Sequence, residues 1–299
     1  RLKDGMRGST GGKHRRLQSA LIVAETALTV VLLVSAGLLL RSFVNVANAE
    51  PGFVRRGTLT FNLAQSGSTA TSIEKRTQFT DAVLRELRTI PGVTHAGMSS
   101  SLPMHGEGLS FGDRIHRVDR PETADQRGAG FDGVSSEYLQ TIGVPLLHGR
   151  YLSETDNRPD APRVVVVSSV FVDQFFEPHE DPLGAQLFFK DQTWEIVGVV
   201  GGIRRFAMEG SPVAQVYFAQ VHFPWYTNYV LRTDVPPQTL VAQVRAAVQR
   251  VDPNQPIANV STLEESARRS MRGRTIMLTL LGVFAGIALL LACIGIYGV

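Results

Sequence analysis

IMLTLLGVFAGIALLLACIGIYGV, residues 276–299, carries no charged side chain, and its 24 residues wound as a helix would reach about 36 Å. LQSALIVAETALTVVLLVSAGLLL, residues 17–40, is equally long and interrupted only by Glu25. A hydrocarbon core of about 30 Å needs roughly 20 such residues, and a buried core helix is rarely apolar on every face for that length. Both strings therefore read as transmembrane helices, and the ordinary polar sequence between them reads as a water-exposed domain.

The charge is distributed to match. Residues 42–267 hold 19 Lys and Arg against 25 Asp and Glu, residues 1–41 hold 7 against 2, and residues 268–299 hold 4 against none. The basic pI thus belongs to the apolar flanks, and nothing marks a nucleic-acid surface. The single cysteine, Cys293, lies in the second apolar string, so the middle domain has no disulfide and must be held by its own core.

Arg1, Lys3, Arg7, Lys13, Arg15 and Arg16 precede the first span and only Arg41 follows closely, which puts residues 1–16 in the cytoplasm and the middle domain outside. Arg268, Arg269, Arg272 and Arg274 stand before the second span and pull the other way, but the first helix usually dominates. Ala47-Asn48-Ala49 has the form of a signal-peptide cleavage site; the apolar run before it is too long, and Arg41 intervenes. The chain begins at Arg1 and ends within an apolar run, as a piece of a longer membrane protein would.

Within the middle region, 57–65 alternates as a strand, and Thr71-Ser72-Ile73-Glu74 has the capping-box pattern that opens a helix. Ile73, Phe79, Val83, Leu84, Leu87 and Ile90 fall on one face of that helix, Pro91-Gly92 stops it, and 93–100 resumes a strand. A second strand-helix-strand unit is expected at 226–232, 237–251 and 256–260. Between the two units, 131–134, 164–167, 187–189 and 194–200 read as strands, and 137–142 and 170–176 as short helices. Thr262-Leu263-Glu264-Glu265 is a second capping box, and no proline follows it, so one helix is expected from there through the second span.

Candidate chemistry is sparse. Gly108-Leu109-Ser110-Phe111-Gly112 matches a nucleophile elbow, but that motif needs a strand before it and a helix after it, whereas 113–118 reads as a strand. His14, His95, His105, His116, His148, His179 and His222 are scattered singly, with no metal-ligand spacing. The GVVGG string at 198–202 lacks phosphate-loop spacing and reads as a bend or bulge beside Arg204 and Arg205. Asn259-Val260-Ser261 is a glycosylation sequon in form only. No catalytic, cofactor or metal residue is assigned. Gly282 and Gly286 form a small-xxx-small face for close helix packing, and Glu25 is an ionisable group inside the first span.

Several strings together resemble the MacB-like and FtsX-like ABC transporter permeases, more narrowly one half of an acidobacterial duplicated permease. They are RRLQSALIVAETALTVVLLVSAGLLLRSF at the first span, EPGF at 50–53, RELRTIPGV at 85–93, SSEYLQTIGVPLLHGR at 135–150, VVVVSSVFVDQFF from 164 with EDPLGAQL behind it, WEIVGVVGGIR at 194–204, and the closing LLGVFAGIALLLACIGIYGV.

The resemblance implies an α+β extracytoplasmic domain flanked by transmembrane helices: a porter-like part at about 55–130 and 214–262, with a mixed subdomain inserted at about 131–213. The domain would occupy 45–268, the spans 17–44 and 269–299, the latter with a periplasmic stalk. It further implies a bacterial inner-membrane permease that is not itself an enzyme, working as a homodimer or as a pseudo-dimer with a second permease half. A separate cytoplasmic ATPase would use the ATP, and a periplasmic adaptor is a further implied partner. The chain has no phosphate loop of its own and lacks the family's third and fourth spans. The alternative reading of the same topology is a two-span sensor with an extracytoplasmic ligand domain. A membrane-anchored hydrolase would rest on Ser110 alone.

Overall fold

The alternation near residue 60 becomes strand β1 (Thr58–Leu63), which turns Leu59, Phe61 and Leu63 to one face and Thr58, Thr60 and Asn62 to the other. A computed structural model describes residues 50–63, 72–104, 115–120, 128–205, 211–223 and 227–297, with scattered positions between 23 and 41. The readings on His14, Glu25, His105, Ser110 and the 108–112 glycine string lie outside the described residues.

Helix α1 (Ile73–Arg88) begins one residue later than the capping pattern implied: Ser72, in extended geometry, is the cap, and its hydroxyl accepts the Lys75 amide at 3.2 Å. Phe79, Val83, Leu84 and Leu87 are buried along one stripe, while Ile73 stays exposed. Strand β2 (Val93–Ser99) follows the turn at Gly92.

The second unit begins with β10 (Thr227–Thr233), continues through a 3-10 turn (Pro237–Leu240) into helix α4 (Val241–Val251), and ends in β11 (Ile257–Thr262). These strands lie in the order β11-β1-β10-β2, all antiparallel. Leu59, Phe61, Leu87, Tyr229, Leu231, Val244 and Val248 form the core between that sheet and the two helices.

The intervening chain folds as β3 (His116–Arg117), β4 (Gly130–Val134), α2 (Tyr138–Thr141), β5 (Leu146–Gly149), β6 (Val164–Ser168), α3 (Ser169–Phe175), β7 (Gln186–Phe189), β8 (Gln192–Val200) and β9 (Gln215–Ala219). It extends the same sheet as β4-β9-β6-β8-β7-β3, with β5 on β8, and joins β2 through a single pair, Ser99 opposite Val134. Lys190 and Asp191, both at positive φ, make the two-residue turn between β7 and β8. The bend read at 198–202 begins earlier, as a register shift opposite Val165 and Val166 that skips Val197.

The core of this lobe is aromatic: Phe131, Phe189 and Phe223 pack on Phe218 and on one another, and Trp194 meets Phe218 edge-on. It also draws in Ile115, Ala214, Val216 and Phe218, residues that the sequence division assigned to the flanking part. β9 was not foreseen at all. All five of its residues are buried, so it has no polar-apolar alternation to read.

Helix α5 (Leu263–Tyr297) runs without a break, as the second capping box implied. The box is reciprocal: the Thr262 amide donates to Glu265 Oε2 at 3.0 Å, and the Glu265 amide donates to Thr262 Oγ1 at 3.1 Å. Among the described residues no helix is long and apolar enough to cross a membrane; several side chains of α5 beyond Arg269 fall outside that set. The chain divides into two units, and the folded domain is the one that runs from Glu50 to Ser270.

Candidate functional site

Two polar features lie where the β11-β1-β10-β2 sheet and its helices meet the lobe that extends it. The first is a buried knot around Asp132 of β4. Its carboxylate accepts five hydrogen bonds: from Arg205 Nη1 and, at 2.9 Å, Arg205 Nη2; from Ser100 Oγ at 3.0 Å; from Ser101 Oγ at 2.7 Å; and from Gln215 Nε2 at 2.8 Å. Burial opposes the charge on Arg205, but the Asp132 carboxylate outweighs it and raises the guanidinium's pKa. Every lone pair of Asp132 is engaged, so it has no free capacity to act as a base. Tyr138 and Tyr217 flank the knot, and burial, first, pushes both phenols well above their ordinary range.

The chain that enters the domain docks onto the same junction. The Arg204 amide donates to Pro51 O at 2.9 Å and Arg204 Nε to Glu50 O at 3.2 Å, while the Val54 amide donates to Ile142 O at 2.8 Å. Gly52 sits at φ +82°, where a Cβ would stand 2.2 Å from Gly202 O, so only glycine fits. Residues 50–54 are thereby tied to the loop leaving β8 and to the end of α2.

The second feature is a cleft of about 430 Å³. One wall is the polar stripe of α1: Gln78, Asp81, Arg85 and Arg88. The other is the turn bearing Glu154, Asn157 and Arg158, with Ser135 and Ser136 between the two. Leu84 and Leu87 anchor α1 in the first core. Asp156 fixes the turn, taking Arg150 Nη1 and Nη2 at 2.6 and 3.1 Å and the Ser153 amide at 2.7 Å. Burial opposes the Asp156 charge, yet these donors hold its carboxyl below the usual range.

Arg88 joins the walls, with Nε 3.2 Å from Glu137 and Nη1 3.8 Å from Glu154. Asp81 accepts from Gln220 Nε2 at 3.3 Å, and burial raises its pKa against a smaller opposing effect of Arg85.

The residues singled out from the sequence do not converge here. His95, His116, His148 and His222 belong to separate elements and His179 to the turn before β7, and among the described residues no three His, Cys, Asp or Glu side chains gather as a metal site. Gly282 and Gly286 lie one turn apart on α5, with no described atom within 4 Å of where a Cβ would stand. Sequence reasoning noted Arg205 only as a neighbour of the 198–202 bend and gave no role to Asp132, Asp81, Arg85 or Arg158. The one signal for the knot was an aspartate inside an otherwise apolar strand beside a noted arginine pair.

A four-stranded antiparallel sheet with two helices on one face, carrying a lobe that prolongs the same sheet, defines a two-lobed α+β domain. The chain belongs to the family of the MacB-like periplasmic core domain, whose model matches residues 19–251, and so to the MacB-like ABC transporter permeases.

Among solved structures, it is similar to the periplasmic region of MacB from Actinobacillus actinomycetemcomitans, at 14% identity over 74% of this chain and 95% of that one, with a TM-score of 0.46. It is also similar to the extracellular domain of the noncanonic ABC-type transporter YknZ from Gram-positive bacteria, at 15% identity over 67% of this chain and 100% of that one, with a TM-score of 0.42. No curated protein matches.

Proposed function

We propose that this chain is the part of an ABC-type permease that crosses the bacterial inner membrane on both sides of its periplasmic domain, relaying ATP hydrolysis by a cytoplasmic partner to that domain. The observation that carries the reading is α5, one helix from the reciprocal cap at Thr262 to Tyr297, with Ile276, Phe284, Leu290 and Ile294 exposed. Leu289, Leu290 and Leu291 are exposed in succession and so point in three directions, which suits lipid better than a one-sided protein contact. A stiff helix shared by both compartments is the element able to carry motion between them.

The permease acts through shape and coupling rather than through its own catalysis or cofactor. It pairs with a second copy or a second permease half, for which Gly282 and Gly286 supply a close-packing face, and it engages a periplasmic adaptor. Co-expressing the full-length parent with its neighbouring ATP-binding proteins tests this. A co-purifying partner that hydrolyses ATP is expected; an intact membrane protein with no ATPase partner would contradict the proposal and favour a sensor.

A further inference from the structure

In the cleft beside α1, charge is left over. Glu137 and Glu154 both face Arg88, so that guanidinium is satisfied and pins the two walls together. Arg85 and Arg158 line the same space, yet neither makes a side-chain hydrogen bond or ion pair among the described residues. The remaining carboxylate, Asp81, is engaged by Gln220, and the Gln220 Oε1 behind it is fully buried without a partner. An incoming ligand would therefore meet the guanidinium of Arg158, that of Arg85, which acts on Asp81 through charge alone, and the carboxyls of Asp81 and Glu154, the latter already facing Arg88. Ser136 and Gln78 add hydrogen-bonding side chains to the lining.

We propose that the cleft between α1 and the 153–158 turn binds a small molecule through a carboxylate or phosphate group held by Arg85 and Arg158. The guanidinium fork suits both oxyanions, and 430 Å³ is within the span of small-molecule sites. The walls are already fixed, α1 by Leu84 and Leu87 and the turn by Asp156, so little ordering opposes binding. Asp81 selects by repulsion, limiting how much negative charge the ligand brings. The cleft would bind such a group whether or not the flanking helices lie in a membrane.

The full chain in neutral detergent micelles is titrated calorimetrically with inorganic phosphate and, separately, with succinate. Saturable one-site binding of at least one is expected, and the one that binds identifies the oxyanion. Arg158→Gln, in an exposed turn, should weaken binding by about tenfold, as should Arg85→Gln, since each removes a charge-assisted hydrogen bond. Asp81→Asn should strengthen binding several-fold at neutral pH, a gain that loss of structure could not produce. Arg250→Gln, which breaks a surface pair with Glu86, should change nothing. Binding of neither anion, or equal affinity in wild type, Arg158→Gln and Asp81→Asn, would overturn the proposal.

Discussion

Leu59 and Phe61 in the compact unit are 1% and 0% exposed, whereas Phe284 and Leu290 on α5 are 61% and 64% exposed. The same kinds of side chain are thus treated in opposite ways by two regions of one chain. A core residue fully withdrawn from water contributes about 1.5–3 kcal/mol, and a run of such residues left in water forgoes it. Under the proposed function the two regions have different solvents: the domain supplies its own apolar interior, and the helix would take its apolar surroundings from lipid. A soluble domain announces itself by stripes and alternation; a lipid-facing helix shows neither, because all its faces meet the same surroundings.

The largest effect should come from the buried knot that joins the two lobes of the domain. Arg205→Ala leaves Asp132 as an uncompensated buried charge, and unfolding by urea, followed by near-UV circular dichroism in micelles, should report a loss of about 3–5 kcal/mol. Pairing Asp132→Leu with Arg205→Met should recover part of that loss, because apolar groups replace both charges while the Ser101 and Gln215 donors lose their acceptor.

On the other side of the contrast, Phe284→Arg should oppose membrane insertion by about 2.5–3.5 kcal/mol while leaving the urea midpoint of the domain unchanged. Fractionation of cells into membrane and soluble pools measures the first, and a lowered midpoint would place α5 within the domain's core. Thr262→Ala removes one half of the reciprocal cap and should destabilise the start of α5 by about 1 kcal/mol, seen as faster exchange of the Glu265 amide.

The smallest effect is at Glu180. Its carboxyl is held at about 2, first by the hydrogen bond from Arg117 and then by the Glu177 backbone, against an ordinary 4.5. The folded value is the lower one, so the contribution is present above about pH 4.5 and fades as pH falls toward 2. Glu180→Gln should flatten that part of the acid limb in urea midpoints measured against pH. An unchanged slope would mean that the pair with Arg117 is idle.

The two strand-helix-strand units were clearly legible, because α1 and α4 carry apolar stripes and β1 alternates cleanly. The second cap was also legible: Thr262 and Glu265 carry all of its side-chain chemistry three residues apart. The first cap moved by one because Thr71 and Ser72 offer the same hydroxyl, and only backbone geometry chooses between them. The inserted lobe was harder. β9 is buried throughout and pairs with β4 and β6, whose partner residues lie 85 residues earlier at Val134↔Ala219 and 49 earlier at Val167↔Val216, and such long-range pairing leaves no local pattern.

The site was the least legible part. Asp132 and Arg205 are 73 residues apart in the chain, and the cleft walls come from α1 and a turn that are distant in sequence. Neither arrangement exists until the lobes have folded. Arg85 and Arg158 look like any surface arginine until Arg88 is seen to engage both nearby glutamates.

The most direct test of the account is to find which side of the membrane each region occupies. With Cys293 replaced by serine, single cysteines are placed at Asp191, in the exposed turn between β7 and β8, and at Thr10, and a membrane-impermeant maleimide is added to cells with a permeabilised outer membrane. The account predicts labelling at position 191 in intact cells and at position 10 only after lysis. Equal labelling of both positions before lysis, or of neither, would contradict a domain held outside by a helix at each end.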